Sequence, residues 1–460
     1  MTLCKFKNKE KGIFQNKKLG VFEYSIENGF SNMSNLSKPL KQEKLILDFG
    51  DAYVLYQLLQ KHGYWELFRS ILPGLEDTLC TMIFYKIFCG GASCYAKDFW
   101  EGSYIRMICP KAKVESQRVS EFYKRLGSES IQRKFFSQYL TKVSDGQKNH
   151  GILVDSTGMP NDIDFPLTAI NNHNGVISNE TRLILAIDRI TYLPLLFRYN
   201  AGNIVDVTTL KATILELESY GVNVDFSIVD AGYYCEKNVE ELYADNIRFI
   251  TRLKPNLVLY KDLVKNNIDG LESRCNAVFY RDRLLYIKRV PMDLFGYKAY
   301  AYIAIDHQRR NDEVYAYMKK IIDNKDLTDD EIDLKAKSKG VFILISSESV
   351  ENSEILPLYY TRQAIEQVFD LYKNNAELLP LRTHGEDTFR GHLMLSFLAT
   401  ISYMLVNKLL DGTKFCADGA FRTLRNLKCK VFDDSILIKE ATKKHNQISS
   451  HLKIELPLKL

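Results

Sequence analysis

LYYTRQAIEQVFDLYKNN, residues 358–375, carries Tyr359, Arg362, Glu366 and Lys373 at offsets 0, 3, 7 and 14. At about 100° per residue of α-helix these fall near 0°, 300°, 340° and 320°, a single stripe roughly 60° wide. A phenol, a guanidinium, a carboxylate and an ammonium on one stripe suit a polyanion held beside a metal ion. Ile365, Val368, Phe369 and Tyr372 form the adjoining apolar face, and Pro357 stands near the expected helix start. Taken alone, the row also reads as a solvated helix with an i,i+4 ion pair between Arg362 and Glu366.

Two aspartates upstream change the balance. In HGILVDSTGMPND (150–162) the run Ile152, Leu153, Val154 reads as a strand ending at Asp155, with Ser156, Thr157 and Gly158 turning the chain. In VDFSIVDAGYYCEKN (224–238) a second short strand ends at Asp230, and a helix is expected from 236 to 245. Either aspartate alone also fits a turn or helix-cap residue. Together they place two carboxylates at strand ends, where side chains converge at the edge of a sheet. DSTG is close to the Asp-Thr-Gly signature of aspartic proteases, but an extra residue separates Asp155 from Gly158 and no second copy exists.

The order of Asp155, Asp230 and Glu366, with the Tyr359/Arg362/Glu366/Lys373 signature, resembles the DDE transposases of bacterial insertion sequences, specifically the YREK group. The likeness spans roughly residues 45 to 410 and includes RFITRLKPN (248–256) and GHLMLSFLATISYML (391–405). It implies an α/β fold with a ribonuclease H-like mixed five-stranded sheet flanked by helices, a β-rich insertion before the glutamate helix, and a helical N-terminal domain. On that template residues 1–40 are a loose tail and 41–148 the N-terminal DNA-binding domain. Residues 149–254 and 340–411 form the catalytic core, 255–339 the insertion, and 412–460 a C-terminal region. Strands are expected near 151–155, 182–188, 193–199, 224–230, 247–253 and 340–346, and a first helix over 205–220.

The resemblance implies metal-dependent DNA strand cleavage and strand transfer. Asp155, Asp230 and Glu366 would be catalytic and bind two Mg²⁺ or Mn²⁺ ions, since hard oxygen donors favour these over zinc. Tyr359, Arg362 and Lys373 would hold phosphates of the transposon ends. The partners implied are double-stranded DNA, as inverted ends and target, and a second copy of the chain in a synaptic homodimer. Relatives that form hairpin ends stack a flipped base on an aromatic of the insertion, commonly tryptophan. Here Trp65 and Trp100 lie outside it, leaving Tyr260, Phe279, Tyr280, Phe295 and Tyr297. Two other readings stay open: a ribonuclease H-like nuclease without strand transfer, and a non-catalytic DNA-binding descendant.

Composition fits a large globular protein of two or three domains: 460 residues, 46% hydrophobic and 26% charged, with a net charge of +5. From Lys111 to Lys142 eight Lys or Arg face three Glu, in two expected helices broken at Gly127, a basic pair suited to DNA. Nine cysteines without a Cys-x2-Cys pair suggest reduced thiols, and residues 1–20 lack the apolar run of a signal peptide, so a cytoplasmic, nucleoid-associated protein is expected. His384 and His392 lack a zinc-ligand pattern. The apolar run 393–406 reads as a buried helix against the sheet rather than a membrane span, and no membrane partner is expected.

Overall fold

The computed structural model describes residues 5–8, 12–16, 20–26, 29–32, 45–144, 149–161, 165–173, 176–204, 206–321, 328, 332, 335–375 and 385–460. The chain divides into two compact units. One comprises Met1–Lys61, Asp98–Pro110 and Leu409–Leu460; the other comprises His62–Lys97 and Lys111–Lys408.

In the smaller unit, the segment expected as a loose tail carries four short antiparallel strands: β1 (Lys5–Asn8), β2 (Ile13–Asn16), β3 (Gly20–Ser25) and β4 (Gly29–Asn32). Its polar composition hid the alternation that places Phe14 against Phe22, ring centroids 5.7 Å apart. A fifth strand, β5 (Leu45–Asp48), pairs antiparallel with Lys428–Val431, so both ends of the chain build this unit. Helix Gly50–Lys61 follows, and the buried Asp51 carboxylate takes a hydrogen bond from Arg425 Nε at 2.8 Å. Burial pushes that carboxyl above its ordinary value, against the pull of Arg425.

The larger unit is organised on ten strands: β6 (His150–Pro160), β7 (Ala169–His173), β8 (Val176–Asp188), β9 (Pro194–Ala201), β10 (Val224–Val229), β11 (Arg248–Arg252), β12 (Ala277–Tyr280), β13 (Arg283–Leu294), β14 (Tyr297–Asp306) and β15 (Val341–Ser346). Their order is β12-β13-β14-β15-β11-β10-β6-β8-β7, with β9 also pairing β8. Strands β6, β10 and β11 run parallel, while β6, β8 and β9 form an antiparallel meander. Ile152, Leu153, Val154, Ile228 and Ile250 are fully buried, as expected for central strands covered on both faces. The expected strands and the helices at 205–220 and 236–245 are present, the latter two as Leu210–Ser219 and Glu236–Ala244.

One expectation changes. The strand at Asp155 does not end there: β6 continues to Pro160, because β8 pairs with it from Asp188 through Glu180 and overrides the turn preference of Ser-Thr-Gly. The insertion carries strands β12, β13 and β14. Its strands β13 and β14 extend the same sheet through β15, which pairs antiparallel with β11 and covers what would be an open edge. It also contains helices Val258–Asn267 and His307–Ile321. In the charged stretch 324–340, whose composition predicts a surface loop or helix, residues 324–327, 329–331 and 333–334 lie outside the described residues, as does His384.

The basic pair folds as helices Ser116–Leu126 and Glu129–Ser144, broken at Gly127 as expected. Both lie in the larger unit beside helix Glu386–Leu410. A Cβ at Gly127 would run into the Asp387 carbonyl, and one at Gly391 into that of Tyr123, so the backbones meet where only glycine fits. Tyr123 stacks on His392 at 3.7 Å, and Phe397 sits among Phe135, Phe136 and Phe197. Helix Glu386–Leu410 is long and apolar enough to cross a membrane by length and composition, yet 72% of its most apolar window is buried inside the protein.

Candidate active site

Strand register brings the two aspartates together. Val154 of β6 is paired in parallel with Val229 of β10, so Asp155 and Asp230 are the next residues on neighbouring strands. Parallel strands lie about 4.8 Å apart and paired residues point to the same face. Val229 is in turn paired with Thr251 of β11, which adds Arg252 to the row. Asp230 is the first residue beyond β10 and opens a short 3₁₀ turn, Ala231–Tyr233. Asp155, by contrast, is held within its strand and its Oδ1 accepts the Ser156 N–H at 2.8 Å.

The signature segment approaches from a different element, and it is not one continuous helix. Helix Asn352–Tyr360 contains Pro357 at an interior position rather than near its start, and helix Gln363–Asp370 follows after a break at Thr361–Arg362. A π-turn, Leu371–Asn375, ends the segment. Thr361 Oγ1 bonds the Leu358 carbonyl at 2.7 Å, and the backbone there closes i→i+3 bonds such as Arg362 N to Tyr359 O at 3.1 Å. The apolar face is as the spacing predicts: Ile365, Val368, Phe369 and Tyr372 are all buried.

That break aims Arg362 into the acids. Its Nη1 lies 2.6 Å from Asp155 Oδ2, and its Nη2 lies 3.7 Å from Asp230 Oδ1 and 3.5 Å from Glu366 Oε1. One guanidinium therefore touches all three acids predicted from sequence, whose side chains are 15%, 41% and 60% exposed against 18% for Arg362. Burial disfavours its charge, but the neighbouring anions, Asp155 foremost, outweigh this and hold Arg362 above its ordinary pKa. Among the described residues no three His, Cys, Asp or Glu side chains stand close enough to grip a metal ion directly. Here the arginine stands between them.

Lys373 and Tyr359 flank this cluster. Lys373 Nζ donates to Thr157 Oγ1 at 2.6 Å and to the Gly158 carbonyl at 2.8 Å, tying the π-turn to the part of β6 just past Asp155. Burial lowers its pKa, partly offset by Glu180, whose carboxylate occupies the space a side chain at Gly158 would need. Tyr359 is buried beside Arg362 and Asp230, and burial pushes its phenol up to about 12.

Residues 146–402 match the model of the transposase DDE domain. The chain belongs to that family. Two solved structures are similar to it only loosely. One is a piggyBac transposase synaptic complex with hairpin DNA, at 10% identity and a TM-score of 0.43, covering 88% of this chain and 81% of that one. The other is the Drosophila P element transposase strand transfer complex, at 10% identity and a TM-score of 0.24, covering 78% of this chain and 87% of that one. No curated protein matches the chain.

Within this DDE domain several residues around the acids were not singled out from sequence. Arg252 completes the row at the parallel strand ends, and Arg182 reaches Ser156 Oγ at 2.6 Å from the neighbouring strand. The signal for Arg252 was present in RFITRLKPN, where it is the last strand residue, as Asp230 is the first residue beyond its own strand. The insertion aromatics divide sharply. Tyr260 is buried, Tyr280 stacks on Tyr360, Tyr297 stacks on Tyr243, while Phe279 is 82% and Phe295 38% exposed. The basic helices spend much of their charge internally: Lys134 bonds the Ser70 carbonyl, Arg125 the Pro73 carbonyl, and Lys142 lies over the Tyr64 ring.

Proposed function

We propose that this chain is the transposase of a bacterial insertion sequence of the YREK group, which binds the element's inverted ends, cleaves their strands and transfers the 3′ ends to target DNA. The observation that carries the reading is the meeting of Asp155, Asp230 and Glu366 at one cation, from three elements far apart in sequence. An all-oxygen donor set already directed at a positive charge fits hard divalent ions. Two ions, Mg²⁺ or Mn²⁺, bound by these carboxylates would activate a water or 3′-hydroxyl and stabilise the leaving oxygen at phosphorus.

The chain's own residues divide the remaining work. Asp155 is fixed by its strand and Asp230 by register, so the pair presents a rigid edge; Glu366, the most exposed, closes the set from the helix. Arg362 carries two parallel donors suited to a phosphodiester, and Lys373 contributes a positive charge that also holds β6 in place. Tyr359 is buried, so a phosphate contact by its phenol requires the 3₁₀ link to open. A ribonuclease H-like core built on β9, β8, β6, β10 and β11 belongs to the same proposal, and the mixed pairing of those five strands within the ten-stranded sheet supports it. A DNA-binding role for residues 41–148, a synaptic homodimer and work beside the nucleoid in the cytoplasm belong to the same proposal.

The test is an excision assay on a plasmid carrying the element's flanking inverted repeats. In Mg²⁺ the wild-type protein should release and rejoin the element, and Glu366→Gln should not. Equal activity of the two would remove Glu366 from the site, and nicking without any joined product would favour a nuclease that lacks strand transfer.

A further inference from the structure

The place that a metal ion needs among the three acids is taken by a side chain of the protein itself. Arg362 pairs with Asp155 at 2.6 Å and lies within 3.7 Å of both Asp230 and Glu366, and these contacts use both terminal nitrogens. Three carboxylates and one guanidinium sum to a charge of −2. Two divalent ions added with Arg362 still in place would bring the cluster to +2 in a partly buried site, an unfavourable crowding of cations. A phosphodiester resolves the conflict, since it offers Arg362 a bidentate anion and brings negative charge toward the ions.

We propose that Arg362 is an internal counter-ion that competes with metal for the three acids and is drawn out by DNA phosphate, so that metal and DNA bind cooperatively. This rests on the reading of the three acids as metal ligands. The link at Thr361–Arg362 leaves the side chain free to move: Arg362 is the N-cap of helix Gln363–Asp370 and makes no side-chain capping bond, so its guanidinium can re-aim without unfolding either helix. Before DNA arrives, the pairing keeps the carboxylates from repelling one another and holds off ions that would cut without a substrate in register.

Mn²⁺ binding to the full-length protein, followed by calorimetry or electron paramagnetic resonance, tests this without reference to activity. Without DNA, Arg362→Gln should bind Mn²⁺ at least tenfold more tightly than wild type. Arg362→Lys keeps the charge but cannot span the acids with two nitrogens, and should fall between. Adding a duplex oligonucleotide should tighten Mn²⁺ binding at least tenfold in wild type and by less than threefold in Arg362→Gln. Arg252→Gln removes a nearby charge that makes no ion pair with the acids, and should change affinity by less than threefold. If Arg252→Gln gains as much as Arg362→Gln, or if Arg362→Gln gains nothing while Asp155→Asn still weakens binding, the competition is overturned and the acids remain metal ligands. If Asp155→Asn leaves Mn²⁺ binding unchanged in every background, the reading of the acids falls, and this inference with it.

Discussion

Two arginines in the larger unit are each surrounded by three acids, and they do different work. Arg390 lies on helix Glu386–Leu410; two of its acids, Glu386 and Asp387, are on its own helix and the third, Glu129, begins the helix it crosses. Its Nε also bonds the Gly127 carbonyl at 2.8 Å, at the closest approach of the two backbones. Arg362 has one acid on the helix it precedes, one inside strand β6 and one just beyond the neighbouring parallel strand β10, and Asp155 is 207 residues away in sequence. The first cluster fastens a helix crossing from local charges and a backbone carbonyl. The second gathers distant carboxylates that have no structural need of one another. Acids drawn to one arginine from unrelated elements are the feature on which the proposed active site rests.

The largest effect should come from breaking the Arg362 cluster at its acids. Asp155→Asn or Glu366→Gln should lower excision in Mg²⁺ by about a thousandfold or more, equivalent to roughly 4 kcal/mol of barrier. Their melting temperatures should match or exceed wild type, because each change relieves repulsion among three anions. A large loss of stability in either variant would make the acids structural, like those around Arg390.

The reverse pattern is expected at the crossing. Gly391→Val or Gly127→Val forces apart backbones already in contact and should cost about 3 kcal/mol in urea denaturation. Activity per folded molecule should be unchanged, and a selective loss of excision would link the crossing to the acids.

These two regions also differ in how far the sequence revealed them. The neighbouring placement of Asp155 and Asp230 was legible because each ends a short apolar run in the sequence, and the signature spacing repeats a helical angle that survives the break: Ile365, Val368, Phe369 and Tyr372 are buried as the angle predicts. What the spacing could not reveal was the break itself. Thr361 acts through a single hydrogen bond that leaves no periodic trace, yet the link where it sits turns Arg362 into the acids. Asp155 was read as a strand end because Ser-Thr-Gly is turn-like, and only the long partner strand β8 overrides that local preference. The glycine crossing was invisible for another reason: Gly127 was read as a helix breaker, whereas its neighbour in space, Gly391, lies 264 residues later.

His392 sharpens the contrast through pH. It is half-buried and stacked on Tyr123, and the loss of solvent around its ring, reinforced by Lys86, depresses its pKa to about 3. The folded state thus excludes a proton that the unfolded chain accepts below pH 6.5, so stability rises with pH between about 3 and 6.5. Lowering the pH from 7 to 5 should cost the wild type about 2 kcal/mol more than His392→Phe. Equal pH profiles for the two would show that His392 titrates normally and that the crossing opens to solvent.

The smallest effect is the most direct comparison of the two arginines. Arg390→Gln removes a charged hydrogen bond to a buried carbonyl at the crossing and should lower stability by about 1.5 kcal/mol. Arg362→Gln removes the ion pairs with three carboxylates but leaves them beside solvent, two of them more than two-fifths exposed, where pairing is worth little. Its stability should therefore stay within about 1 kcal/mol of wild type, and high salt should narrow the gap further by screening the acids from one another. The two losses, measured in the same denaturant series, separate an arginine kept for the fold from one whose pairing is provisional. If Arg362→Gln proved the more destabilised, the acids would depend on Arg362 for their placement, and the site would be built around the guanidinium rather than waiting behind it.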